Sequence, residues 1–139
     1  MLNRGGVVYV NVKQVLPSEQ FAGKKVLITG GSSGFGFQMA KDFIAQGAEV
    51  MITGRNSQKL CEAKDKINNA RLHTIVWDQS DCSSIINKLN EVISELGGLD
   101  IAINNAGVWN NTDWHTVDES EYDKIVDINT KGLYFLCKA

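Results

Sequence analysis

The sequence alternates short apolar runs with stretches of helical periodicity, and this alternation restricts the fold more than any other feature. Apolar runs that suit strands lie at residues 26–28, 50–52, 72–77 and 99–103. Between them, apolar residues recur three and four positions apart, most clearly from Ile85 to Leu96, where Gly97 and Gly98 end the pattern. A repeated strand–helix order predicts an α/β fold with a parallel sheet, because consecutive parallel strands need crossover connections. The runs do not alternate with polar residues, which is typical of strands covered by helices on both faces.

The two ends of the chain differ in pattern. A last helix is expected after Thr116, whose spacing to Glu119 fits a capping box. Residues 1–22 lie outside the strand–helix rhythm and are predicted to be an N-terminal extension ordered only by packing, although 7–10 could form a short strand. Residues 23–139 are predicted to form one domain.

Composition excludes several classes of protein. The 139 residues carry 14 Lys and Arg against 16 Asp and Glu, a net charge of -2 without the basic excess of a nucleic-acid-binding protein. No apolar run reaches the roughly 20 residues of a membrane span, and the start lacks the pattern of a signal peptide. The three cysteines are far apart and have no C-x-x-C spacing. We therefore expect a cytoplasmic protein with reduced thiols, no metal site, no nucleic-acid partner and no membrane partner.

A glycine-rich segment separates the first predicted strand from the first predicted helix. Gly30, Gly34 and Gly36 follow Thr29 with the spacing T-G-x-x-x-G-x-G. Glycines at such a turn allow backbone N–H groups to approach a pyrophosphate at the positive end of the helix. The alternative is a purely structural turn. The segment alone therefore indicates a nucleotide site without establishing one.

A second motif, N-N-A-G at residues 104–107, follows the fourth predicted strand. Both motifs would lie at the carboxyl ends of parallel strands, the edge where such sheets bind ligands. Together, in this order, they resemble the paired signature of the classical short-chain dehydrogenases/reductases, which are NAD(P)-dependent oxidoreductases. The resemblance covers about residues 21–139. It implies a Rossmann-type doubly wound sheet, of which this chain holds the first half with strand order 3-2-1-4.

The resemblance also implies cofactor-binding residues, which are Gly30, Ser32, Ser33, Gly34, Phe35, Gly36, Arg55, Asn56, Asp78, Gln79, Asn105, Ala106 and Gly107. Within this set, Asp78 is expected to hold the adenine amino group, and Ala106 and Gly107 to line the adenosine pocket. Helix capping is the alternative for Asp78, although Ser80 and Asp81 are better placed for it. The neighbouring Asn104 is expected to secure the sheet edge.

The resemblance assigns Asn129 a catalytic role, the support of a water in the proton relay behind a catalytic tyrosine. A polar residue that kinks a helix is a compatible reading of Asn129. Two Y-x-x-x-K matches occur, Tyr9 with Lys13 and Tyr134 with Lys138. Neither stands in the strand–loop–helix context that the family requires, so neither is assigned as the catalytic pair.

The cofactor preference depends on the end of the second strand. An acidic residue there would bind a ribose 2′-hydroxyl and favour NAD. This chain has Gly54 followed by Arg55, and a guanidinium suits a phosphate. The glycine-rich turn carries no Lys or Arg, which is unlike many NADP-preferring relatives, and a solvated arginine is the alternative. We expect NADP(H) to be favoured over NAD(H).

The expected function is hydride transfer between a nicotinamide and an alcohol or ketone substrate. The catalytic Ser, Tyr and Lys are expected beyond this chain, which would then be inactive alone. The rival reading is a dinucleotide-binding module without catalysis. Without a fifth strand the fourth would leave an apolar edge, so we expect a homo-oligomer or association through that edge. The loop tryptophans Trp109 and Trp114 could shape a substrate pocket or pack at a subunit interface, and His115 is expected to be structural.

Overall fold

The computed structural model describes residues 19–113 and 115–139, which form a parallel four-stranded sheet with helices on both faces. The strands follow the order β3-β2-β1-β4, so the predicted doubly wound arrangement is confirmed. Their bounds are β1 Lys25–Ile28, β2 Glu49–Gly54, β3 Leu72–Val76 and β4 Ile101–Ile103.

The helices connect and cover these strands. Their bounds are α1 Gly34–Ala45, α2 Ser57–Ile67, α3 Ile85–Leu96, α4 Glu119–Val126 and α5 Leu133–Lys138. A π-helical segment, Asp127–Gly132, joins α4 to α5. None of the helices in the described part of the chain is both long and apolar enough to span a membrane.

The core divides into two layers because successive strand residues point to opposite faces of the sheet. Val26 and Ile28 of β1 pack with α1 and α2, whereas Leu27 between them packs with α3 and α5. All three side chains are fully buried. Burial on both faces explains why the strands read as continuous apolar runs, and each such side chain contributes about 1.5–3 kcal/mol.

Helix α1 begins at Gly34, within the glycine-rich turn. One helix start differs from the sequence prediction. The predicted capping box at Thr116 is wrong by two residues, because Asp118 is the N-cap of α4 and its Oδ1 accepts the N–H of Glu121 at 2.9 Å. Thr116 instead donates its hydroxyl to the carbonyl of Asp113. The sequence offers the same three-residue spacing twice, and the carboxylate cap is the one that forms.

Residues 19–22, the described part of the predicted extension, pack against the end of α1. The Phe21 and Phe43 rings lie 4.7 Å apart, and the Phe21 N–H donates to the Gln46 carbonyl at 3.0 Å. The candidate strand at 7–10 and the Tyr9–Lys13 pair lie outside the described residues. The boundary at residue 22 therefore stays a prediction.

Thr29 and Asn105 join the carboxyl ends of β1 and β4. The Asn105 Nδ2 donates to the carbonyls of Thr29 at 3.0 Å and Gly30 at 3.1 Å. In return, the Thr29 Oγ1 accepts the N–H groups of Asn105 at 3.1 Å and Ala106 at 3.0 Å. We call this set of hydrogen bonds the Thr29–Asn105 bridge. It fixes the glycine-rich turn against the segment that follows β4.

The prediction that Asn104 secures the sheet edge is wrong, because Asn105 has that role. Asn104 points away from Thr29 and donates its Nδ2 to the Cys137 Sγ at 3.4 Å. Successive residues of an extended chain face opposite sides, so only one of the two asparagines can reach β1.

β4 is the outermost strand on its side of the sheet, and no other described strand pairs with its outer edge. Its side chains are only partly covered, with Ala102 exposed. Association through this edge stays a prediction.

Replacing Thr29 with Val tests the Thr29–Asn105 bridge. Thr29 is 1% exposed, and Val keeps its shape while it removes the acceptor of two N–H groups. We expect the free energy of unfolding to fall by about 1–3 kcal/mol in urea denaturation. Thr53→Val is the control, because Thr53 is a 3% exposed threonine outside the Thr29–Asn105 bridge. Equal losses in the two variants would contradict the bridge.

Asp100 gives the sheet a pH-dependent contact. Its carboxylate accepts the Lys25 N–H at 2.8 Å and the Lys24 Nζ at 3.2 Å, and these hydrogen bonds hold the pKa of Asp100 below its usual 3.8. Because the folded pKa is depressed, the contact stabilises the fold above the unfolded pKa and is lost as pH falls through the folded pKa. Asp100→Asn should lower the thermal midpoint at pH 7, and the difference from the original chain should vanish in acid. Asp65→Asn on α2 is the control for the loss of one exposed carboxylate.

Candidate functional site

The glycine-rich turn approaches the end of β4 more closely than any side chain would allow. Gly30 has a φ of +67°, and a Cβ there would lie 2.9 Å from the Cα of Ala106. A Cβ on Gly36 would lie 2.6 Å from the Asn105 Nδ2 and 2.6 Å from the carbonyl oxygen of Gly30. Glycine is therefore required at both positions for the turn to seat on the Thr29–Asn105 bridge.

A cleft of about 360 Å³ opens at the carboxyl edge of the sheet, where the loops after all four strands meet. It brings together predicted cofactor-binding residues from four separate segments of the chain. Those that line it are Gly30, Ser32, Ser33, Arg55, Asn56, Asp78, Gln79, Asn105, Ala106 and Gly107.

The other predicted residues do not line the cleft. Gly34, Phe35 and Gly36 form the first turn of α1 beside it, and Phe35 is 87% exposed. Asn129 lies behind the wall of the cleft. The cofactor-binding roles of Gly34, Phe35 and Gly36 and the catalytic role of Asn129 stay predictions.

Sequence reasoning missed part of the lining, namely Thr53, Gly54, Lys59, Trp77, Val108 and Ile128. Adjacency to predicted residues could have identified most of them, since Thr53 and Gly54 precede Arg55 and Val108 follows Gly107. Lys59 had a weaker signal, its position four residues after Arg55 at the start of a helix. Ile128 had no local signal, because the fold of the C-terminal helices brings it to the cleft.

The segment after β3 contributes both an exposed carboxylate and buried polar groups. Asp78 is exposed, and its Oδ1 accepts the N–H and the hydroxyl of Ser80 at 3.0 and 2.7 Å. Trp77 and Gln79 are buried, and the Trp77 Nε1 and the Gln79 Oε1 have no hydrogen-bond partner among the described residues. The segment thus presents a carboxylate at the cleft rim with two unpaired polar atoms beneath it.

None of Asp78, Ser80 and Asp81 caps α3. That helix begins at Ile85, its N-cap is Ser84, and no side chain donates or accepts a capping hydrogen bond there. The sequence predicts that Ser80 and Asp81 are better placed for capping than Asp78. Neither caps the helix, because an additional turn separates both residues from its start.

The end of β2 supplies the positive charge of the cleft. Arg55 and Lys59 both line it, and the one acidic residue in the lining is Asp78. Asn56 lies between them, and its Oδ1 accepts the Lys59 N–H at 3.0 Å as the N-cap of α2. The side chain of Asn56 thus fixes the helix start, which is a role that the sequence prediction did not include.

Asn129 lies in the π-helical segment and holds the loop after β4. Its Oδ1 accepts the Val108 N–H at 2.8 Å, and its Nδ2 donates to the Val108 carbonyl at 2.7 Å. A Cβ on Gly107 would lie 3.4 Å from the same Oδ1. The predicted association of Asn129 with a helix distortion is therefore present, together with a tie to the cleft-lining residue Val108.

Other candidate residues lie away from the cleft lining. Tyr134 and Lys138 are exposed on α5, where both contact Phe135. Trp109 is 77% exposed, while Trp114 lies outside the described residues. Within residues 19–113 and 115–139, no three His, Cys, Asp or Glu side chains are grouped as metal ligands.

Comparison with known proteins agrees with this geometry. The sequence model of the short chain dehydrogenase family matches residues 24–139. The chain is 29% identical over 120 residues to gluconate 5-dehydrogenase of Gluconobacter oxydans, which covers 85% of this chain and 47% of that protein. It is 32% identical over 115 residues to the NADP-dependent 3-hydroxy acid dehydrogenase of Escherichia coli O6:H1, covering 82% and 46% of the two chains.

Solved structures share the fold. The 3-ketoacyl-(acyl-carrier-protein) reductase of Brucella melitensis, crystallised with NADH, is 32% identical and superposes with a TM-score of 0.80. The match covers 86% of this chain and 49% of that one. The chain spans about half the length of the curated relatives it matches. With its sheet order, its glycine-lined cleft and a family match over most of its length, the chain belongs to the short-chain dehydrogenase/reductase family.

Proposed function

We propose that the cleft binds NADP(H) in preference to NAD(H), and that the protein transfers hydride between the nicotinamide and an alcohol or ketone. The observation that carries this proposal is the end of β2, where Gly54 supplies no carboxylate and Arg55 lines the cleft. A carboxylate there would accept ribose hydroxyls and repel a 2′-phosphate, whereas a guanidinium attracts one.

The glycine-rich turn supports the presence of a dinucleotide. Neither Gly30, which lines the cleft, nor Gly36 beside it has room for a Cβ, so the turn packs its backbone closely against the segment after β4. Among the described residues, the N-cap Ser33 of α1 makes no side-chain capping hydrogen bond, as is also true of Ser84 at α3, whereas Asn56 caps α2. The first N–H groups of α1 are thus left for a ligand beside the cleft, which suits a pyrophosphate.

Different residues of the cleft would contact different parts of the cofactor. Arg55 would meet the 2′-phosphate, while Asp78 and Gln79 would meet the adenine, with Ala106 and Gly107 against the adenosine. When bound, the nicotinamide supplies the hydride chemistry. Asn129 would act as a positioning residue, because its two hydrogen bonds hold Val108 at the wall of the cleft.

The relatives support the reaction class more strongly than the choice of cofactor. One is named as NADP-dependent, and the Brucella structure contains NADH. The preference for NADP(H) therefore depends on the residues of this chain.

A non-catalytic dinucleotide-binding module is the second candidate. The observation in its favour is that the described residues that line the cleft include no tyrosine to exchange a proton with a substrate. Cofactor-dependent reduction of a ketone panel by the full-length protein separates the candidates. Turnover supports the enzyme, and cofactor binding without turnover across the panel supports the module.

Arg55→Gln tests the cofactor preference. Charge-assisted hydrogen bonds contribute about 1.5–3 kcal/mol, so the Kd for NADPH should rise by about tenfold or more in a fluorescence titration. The Kd for NADH should change little, because NADH lacks the 2′-phosphate. Arg71→Gln, an exposed arginine outside the cleft lining, is the matched control. NADH binding as tight as NADPH binding in the unsubstituted protein would refute the preference.

Gly36→Ala tests the close approach of the glycine-rich turn to the segment after β4. The new Cβ would displace the Asn105 amide or the Gly30 carbonyl, so affinity for NADPH and NADH should fall together, by about tenfold or more. Gly97→Ala is the control for stability: its φ of +74° strains alanine by about 1 kcal/mol, but it lies at the end of α3 outside the cleft. Retained cofactor affinity in Gly36→Ala would contradict the close approach.

A further inference from the structure

The first turn of α2 carries a lysine at an electrostatically unfavourable position. Lys59 is the third residue of the helix, near the positive end of its dipole, where acidic residues are favoured. The first turn contains no acidic residue, whereas Lys64 and Lys66 lie in the last turn, where cations are stabilised. Helix stability therefore explains Lys64 and Lys66 but not Lys59.

Ion pairing within the protein does not account for Lys59 either. The ion pairs found among the described residues involve Lys24, His73, Lys88 and Lys131. Lys59 has no carboxylate within 4 Å in this part of the chain, although a helical neighbour could have supplied one. Its position calls for an anion that the described residues do not provide.

Lys59 also lines the cleft, together with Arg55 and Ser32. A Cβ on Gly54 would lie 3.4 Å from the Ser32 Oγ and 3.6 Å from the Leu60 Cδ2, so a side chain at position 54 would stand against Ser32 of the cleft lining. The end of β2 and the start of α2 thus contribute two cations and no acidic group to the lining.

The backbone fixes where Lys59 stands. The Asn56 Oδ1 accepts the Lys59 N–H at 3.0 Å, which ties the base of the lysine to the loop that carries Arg55. The cap thus sets the relative positions of the two cations, while the lysine side chain itself remains exposed and adaptable.

We propose that Lys59 is a specificity-determining residue, whose ammonium pairs with the 2′-phosphate of NADPH together with Arg55. The proposal deepens the proposed function and depends on it. Arg55 offers a planar fork for two phosphate oxygens, and Lys59 adds a compact charge that strengthens retention of the doubly charged group. Because NADP(H) carries the 2′-phosphate and NAD(H) does not, Lys59 would strengthen the binding of NADP(H) alone.

Lys59→Gln in the full chain tests this role, with Kd values for NADPH and NADH from fluorescence titration at low ionic strength. Removal of one partly exposed charge pair should raise the Kd for NADPH by about fivefold. The Kd for NADH should stay within about twofold, and Lys59→Arg should retain NADPH affinity because it keeps the charge. Added salt should weaken NADPH binding less in Lys59→Gln than in the unsubstituted protein.

Lys66→Gln is the matched control, because it removes the same charge from the same helix at an exposed site outside the cleft. It should leave both affinities unchanged, and circular dichroism should show the same helix content in all variants. An unchanged NADPH affinity in Lys59→Gln, or equal losses for NADPH and NADH, would overturn the role of Lys59.

The failure of this inference can be distinguished from failure of the proposed function. If the unsubstituted protein prefers NADPH and Lys59→Gln keeps the full preference, only the role of Lys59 is overturned. If the unsubstituted protein binds neither cofactor, or binds both equally, the proposed NADP(H) preference and the role of Lys59 are overturned together.

Discussion

The Thr29–Asn105 bridge is the contact on which the site depends. A buried hydroxyl and a side-chain amide hold the ends of β1 and β4 together through four hydrogen bonds. Because the amide binds the carbonyls of the turn, the turn must lie directly on it, and only glycine fits at Gly36. The bridge therefore fixes the ends of β1 and β4 together with the glycine-rich turn that borders the cleft.

The start of helix α2 brings positive charge to the cleft. Asn56 caps α2 and thereby places Lys59 at the cleft, near the end of β2 that carries Arg55. Asn129 lies in the π-helical segment, and its side-chain amide makes two hydrogen bonds to the backbone of Val108 in the loop after β4. Both asparagines use local backbone contacts to position residues of the cleft. Positioning by short polar side chains explains how a small parallel sheet can present an ordered surface along one edge.

Pattern in the sequence predicted the fold well and the local contacts less well. The apolar runs predicted a parallel α/β sheet, because buried parallel strands leave strong local signals, and the family resemblance of the two glycine motifs implied the 3-2-1-4 order that the structure has. The prediction that Asn104 secures the sheet edge was wrong and Asn105 does so, because this role depends on which of the two residues faces β1 once the strands are packed. The predicted N-cap of α4 was wrong because Thr116 and Asp118 offer the same spacing to an acidic residue. In the structure the Thr116 hydroxyl donates to the Asp113 carbonyl, and Asp118 accepts the Glu121 N–H.

The sequence by itself determined the class of fold and the family, because hydrophobic periodicity and required glycines are written locally along the chain. It also predicted that Arg55 lies at the end of β2, beside the cleft. Only the tertiary structure assembled the cleft from four segments and brought Ile128 and Lys59 to its wall. The physical reason is that these neighbours meet through packing across the sheet, and separations of many residues leave no periodic signal in the chain.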